Sequence, residues 1–142
     1  MAEGIAKAYA GPDSSVDIRS AGLFAIPGNI PSEYAVSTCL KHNIDIRGHR
    51  AHPVSYSLIS WADFIFCMEH YQCLEIQRLF NTKTNVLLLG EGISGIPEEI
   101  IDPYGRSLED YEQTFSYLTK AIEYHFGHFS ERSGYDRKAK AS

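Results

Sequence analysis

Two near-continuous apolar runs, Trp61-Ala62-Asp63-Phe64-Ile65-Phe66-Cys67 and Asn85-Val86-Leu87-Leu88-Leu89-Gly90, flank a stretch with helical spacing from Glu69 to Phe80. Strands buried on both faces read as such runs, and two of them joined through a helix make a parallel βαβ unit. The remaining segments extend that pattern. Ala2 to Ala10 is rich in helix formers and ends at Gly11-Pro12. Ser15 to Ser20 alternates with period two and predicts a strand. Pro31-Ser32-Glu33 opens a second helix whose inner face is expected to hold Tyr34, Ala35, Val36, Cys39 and Leu40. Ile44 to Arg47 reads as a short extended piece. Ser107 to Phe126 is the longest predicted helix, with Tyr111, Phe115, Leu118 and Ile122 at helical intervals. The expected fold class is therefore α/β, an open parallel sheet with helices on both faces. Such folds normally begin with a strand, whose exit loop often holds a phosphate on the first helix N-terminus. This sequence begins on a helix, so the expectation is that the first strand and its loop lie before Met1. One domain is expected over residues 1–126, with 127–142 a flexible tail of two acids and four bases.

Composition narrows the function. A chain of 142 residues, 44% hydrophobic, has the material for one core and is too apolar to be disordered. A net charge of −5 gives no reason to expect nucleic acid or an anionic membrane as partner. No apolar run approaches the ~20 residues of a membrane-spanning helix, and the opening MAEGIAKAYAG lacks the basic and apolar regions of a signal peptide. Three cysteines make a disulfide framework improbable, and the expected location is the cytoplasm. Oligomeric state is not legible.

The most suggestive chemical stretch is Ile100-Ile101-Asp102-Pro103-Tyr104-Gly105. Proline restricts the residue before it, so the Asp102 carboxyl is held in a defined direction. From the residues alone, Asp102 is either part of an Asp-Pro turn ahead of a helix or a general acid with Tyr104 as a substrate wall. Cys39 and Cys67 read as core residues, and Cys67 with Cys73 as a redox pair is the sharper alternative. Cys73 is five residues from Arg78, one short of a Cys-x5-Arg phosphate loop, and no Cys-x5-Arg occurs in the 142 residues. Of the six histidines, His125 and His128 lack a third ligand at convincing spacing, and no metal site is expected. His42, His49 and His52 sit in a polar connection with Arg47 and Arg50, a basic group that reads as a solvated loop or as a phosphate contact.

Taken together these pieces resemble the low-molecular-weight protein-tyrosine phosphatase family. Met1-Ala2-Glu3-Gly4 resembles the residues that follow its Cys-x5-Arg-Ser-Pro loop, and Arg19-Ser20-Ala21-Gly22 its Ser-Ala-Gly motif. Ala62 to Glu69 resembles its third parallel strand, and Asp102-Pro103-Tyr104-Gly105 its general-acid loop. The wording is most similar to the bacterial branch, which includes protein-arginine phosphatases. The resemblance implies hydrolysis of a phosphorylated protein (phosphotyrosine or phosphoarginine) or an aryl phosphate. A Cys thiolate attacks phosphorus, loop N–H groups and an Arg hold the equatorial oxygens, and an Asp serves as acid and then base. No metal or organic cofactor is implied. It assigns Asp102 as that acid/base, Tyr104 to substrate binding, and Ser20 and His49 to supporting the phosphate loop. Glu69 falls where the family often has an acid near the site and is not assigned a catalytic role.

With no Cys-x5-Arg in the 142 residues, the expectation is that the family's nucleophile and phosphate-binding Arg are missing together with the strand and loop that carry them. In the family fold that strand lies inside the sheet, so its loss is expected to leave unpaired edges and no turnover. Three readings follow. Met1 is internal to a longer, working phosphatase; or the chain is a non-catalytic pseudoenzyme or binding module; or the fold serves arsenate reduction, for which Cys73 is a poor fit.

Overall fold

A computed structural model describes the backbone of residues 1–141 and the side chains of residues 1–129. Its elements run α1 (Ala2–Ala10), α2 (Glu33–Lys41), α3 (Tyr56–Trp61), β1 (Phe64–Cys67), α4 (His70–Phe80), β2 (Asn85–Leu88) and α5 (Leu108–Ala141). β1 and β2 pair in parallel, Phe64 opposite Asn85 and Cys67 opposite Leu88. The βαβ unit legible in the two apolar runs is thus present, with α4 as its crossover. Local chemistry sets the helix limits. Ser32 caps α2, its side chain accepting from the Ala35 N–H. Gly11 ends α1 at φ 78°, a backbone state that costs a residue without Cβ nothing, and its N–H returns to the Lys7 carbonyl. Ser107 and Asp110 cap α5 reciprocally, each side chain accepting from the other's N–H.

Two cores lie on opposite faces of the sheet. The larger joins Ile5 and Ala6 of α1, Ala35 and Cys39 of α2, and Tyr111, Phe115, Leu118 and Ile122 of α5. The smaller joins Ile59 of α3, Cys67 of β1 and Ile76 of α4. Helices therefore cover both faces, as the order of elements predicts.

Several expectations are corrected. Ser15–Ser20 is not a strand: residues 15–21 make no backbone–backbone hydrogen bond among the described residues, and only Gly22 bridges, in parallel, to Pro53. Alternation supplies a face for a strand, but a ladder needs a neighbour. Ile44–Arg47 likewise forms no strand. Helix α3, which the sequence analysis does not predict, is capped by Ser55, whose side chain accepts from the Leu58 N–H, and it ends on Trp61, the residue expected to begin a strand. On α2 the buried residues are Ala35, Thr38 and Cys39, whereas Tyr34 and Leu40 face outward. Finally, α5 does not stop at Phe126. It runs to Ala141, and the Phe129 ring packs 4.9 Å from that of Phe64, so residues 127–129 continue the helix instead of opening a tail. The side chains of the rest of the expected tail lie outside the described residues.

Candidate active site

A trough of about 1260 Å³ opens between the segment around Arg19–Ser20, the N-terminus of α1, the loop 46–53 and helix α3. Glu3, on the first turn of α1, lines it. Ser20 donates its hydroxyl to Glu3 Oε2, and His49 Nδ1 stands 3.6 Å from the same oxygen. Lys7, one helical turn on, donates to Glu3 Oε1. One carboxylate thus ties together three chain segments. Burial raises the Glu3 pKa, but the hydrogen bonds from Lys7 and Ser20, with the charges of Lys7 and His49, outweigh it and hold the carboxyl below its ordinary value. Gly4 lets α1 come this close: a Cβ there would stand 2.7 Å from Ile46 Cγ2.

A depressed folded pKa has a definite consequence for stability. The contribution of Glu3 is fully present above its unfolded value and is lost as pH falls through the folded one. The urea midpoint of the wild-type chain is therefore expected to drop on acidification below about pH 4.5, the ordinary glutamate value. Glu3→Gln should flatten that part of the profile; an unchanged slope would remove Glu3 from the account.

Asp102 and Tyr104 lie elsewhere. They do not line the trough, and among the described residues no hydrogen bond or ion pair joins them to Glu3, Ser20 or His49. Their loop is pinned by the buried Ile100, whose N–H donates to the Met68 carbonyl just past the C-terminal end of β1 (2.9 Å). Asp102 is exposed, and its Oδ1 accepts from the Tyr104 N–H at 3.0 Å, which fixes the carboxyl's direction by a local turn. Tyr104 is 77% exposed and makes an open aromatic wall. Open α/β sheets bind ligands beyond the carboxyl ends of their strands, which is where this loop sits.

None of the cysteines lines the trough. Cys39 is fully buried on α2. Burial and the neighbouring Cys73 push the Cys67 thiol up to about 12, the opposite of what a nucleophile or redox partner needs. Glu69 serves structure as the N-cap of α4 in a capping box with Gln72. His125 is engaged with the Leu89 carbonyl at 2.9 Å, and no group of three potential metal ligands occurs among the described residues. Nor is any described helix long and apolar enough to cross a membrane. Sequence reasoning therefore places Ser20 and His49 in one site but misses Glu3, which joins them. The signal was available, since Glu3 is the sole acid in α1, but contact with Ser20 and His49 is a tertiary fact.

Comparison with known proteins gives a consistent result. Residues 1–133 match the family described as "Low molecular weight phosphotyrosine protein phosphatase". A protein-arginine-phosphatase of Bacillus subtilis is 31% identical over 124 residues, 86% of this chain and 82% of that protein. A probable low molecular weight protein-tyrosine-phosphatase of Ralstonia nicotianae is 35% identical over 109 residues, 76% of this chain and 73% of that one. The crystal structure of a low molecular weight protein tyrosine phosphatase from T. tengcongensis superposes with a TM-score of 0.82 at 28% identity, covering 89% of this chain and 88% of that one. By sequence and by fold, the chain belongs to the low molecular weight phosphotyrosine protein phosphatase family.

Proposed function

We propose that the chain carries the acid/base half of a protein phosphatase site and lacks the nucleophilic half. The single observation behind this is that no Cys-x5-Arg occurs in the 142 residues, while Asp102-Pro103-Tyr104-Gly105 is intact. In the complete reaction the thiolate forms an S–P bond as the P–O bond of phosphotyrosine, or the P–N bond of phosphoarginine, breaks. Asp102 gives its proton to the departing oxygen or nitrogen, then takes one from the water that cleaves the phosphocysteine. Tyr104 borders the substrate's flat group. Ser20 and His49, held by Glu3, are assigned to supporting the phosphate loop. Substrates are phosphorylated proteins, the class that the relatives' names give for them, and the expected compartment is the cytoplasm.

Without a thiolate and a phosphate-binding Arg there is no covalent step and little stabilisation of transition-state charge. Among the described residues Ser15–Ser20 has no ladder partner. Fusing a strand and a Cys-x5-Arg-Ser-Pro loop ahead of Met1 is expected to confer hydrolysis of p-nitrophenyl phosphate with a trappable phosphocysteine. A folded fusion that binds phosphate but never forms the phosphocysteine would contradict the assignment. Arsenate reduction, the alternative chemistry, is disfavoured by the raised Cys67 thiol.

A further inference from the structure

We propose that Glu99 is a positioning residue for the general acid: bound to the first N–H of α4, it fixes where the Asp102 loop leaves the sheet. The proposal rests on the acid/base role given above to Asp102. The chain between β2 and Asp102 is held at three points. Leu89 N–H donates to the Cys67 carbonyl at 2.8 Å, and Ile100 N–H to the next carbonyl, that of Met68, at 2.9 Å. Residues 90–99 thus loop out between two adjacent points at the end of β1. Ile93 and Ile96 pack this excursion onto the larger core. Gly90 lets it close, since a Cβ there would run into the Pro97 and Glu98 carbonyl oxygens. The third point is a side chain: Glu99 Oε1 accepts from His70 N–H at 2.7 Å.

His70 is the first residue of α4, and its N–H is one of the donors a helix leaves unpaired at its start. The capping box serves the N–H groups of Glu69 and Gln72, so this donor is met from outside the helix. A carboxylate there also faces the positive end of the helix dipole. Glu99 and Ile100 are therefore clamped in succession, and Ile101 alone separates the clamp from Asp102. Pro103, on the far side of the acid, is buried. The His70 ring adds a looser tie, with Nε2 3.5 Å from Glu98 Oε2 and both side chains exposed. The backbone N–H, not the imidazole, carries the positioning.

The bond can be removed from either side. Glu99→Ala deletes the acceptor, and Glu99→Gln keeps it. His70→Pro deletes the donor and spares the helix. Proline suits a first helical position, and Glu69, at φ −132° and ψ 149°, already has the backbone that a residue before proline adopts. His70→Ala keeps the N–H and removes only the ring. In the 142-residue protein, amide exchange at Ile100 and Tyr104 is expected to quicken in Glu99→Ala and His70→Pro. It should keep the wild-type rate in Glu99→Gln and His70→Ala. In the protein fused to a Cys-x5-Arg loop, Glu99→Ala should lower kcat by about 10–10²-fold at unchanged KM, the scale of loss from misplacing a reacting group by about 1 Å. The loss should be larger for phenyl phosphate than for p-nitrophenyl phosphate and should vanish in an Asp102→Asn background, which lost stability alone would not produce. Unchanged exchange in both deletions would overturn the proposal, as would equal losses on the two esters or a full further loss beside Asp102→Asn. A fusion that never forms the phosphocysteine contradicts the function proposed above, and the exchange comparison still decides whether Glu99 sets the loop.

Discussion

Replacing Asp102 by Asn in a chain fused to a Cys-x5-Arg loop should lower kcat for p-nitrophenyl phosphate by about 10²–10⁴, the usual contribution of a positioned general acid/base. The side chain's position supports this role. Ile100 anchors the loop to Met68 at the end of β1, and the Tyr104 N–H fixes Asp102 Oδ1. Asparagine keeps the turn-forming oxygen but has no proton to give, so the loop should survive while the step fails. The loss should also be smaller for substrates whose leaving group needs no protonation, a distinction that a merely structural defect would not make. Steady-state kinetics on two aryl phosphates of different leaving-group pKa measure it, and equal loss for both would remove Asp102 from the proton transfer.

Phe115→Ala is expected to destabilise the protein by about 3–5 kcal/mol. Phe115 is 7% exposed and sits in the larger core between α2 and α5. Its ring stacks on His42 at 4.0 Å with an interplanar angle of 13°. Truncation leaves a cavity bordered by the 34-residue α5, which has little freedom to collapse into it. A bridge beside it, Lys41 Nζ to Glu112 Oε1 at 2.9 Å, is exposed and contributes far less. Urea unfolding of the two proteins gives the difference; a change below 1 kcal/mol would mean that α2 and α5 do not share this core.

How much of this was legible depended on whether a segment's partner was local. The β1–α4–β2 unit was readable because fully buried strands and a crossover helix write their burial into consecutive residues. The core face of α5 was readable because Tyr111, Phe115, Leu118 and Ile122 repeat at helical spacing. By contrast, Ser15–Ser20 has the alternation of a strand but, among the described residues, no neighbour to pair with, and a ladder is not a property of one segment. Tyr34 and Leu40 are apolar enough for a core yet face outward, since only tertiary contact decides which side of α2 is covered. The tail boundary failed for the same reason: Phe129 finds Phe64, which lies 65 positions earlier in the chain. At the site, Ser20 and His49 came from resemblance, whereas Glu3 emerged only when three segments met.

The most direct test of the central claim uses the 142-residue chain alone. It is mixed with p-nitrophenyl phosphate under single-turnover conditions, quenched in acid and weighed intact. The account predicts no release of nitrophenol above buffer and no added phosphoryl mass on Cys39, Cys67 or Cys73. Burst release together with a phosphorylated cysteine would contradict it, and would place a nucleophile among residues that the structure buries or sets in helix α4, outside the trough.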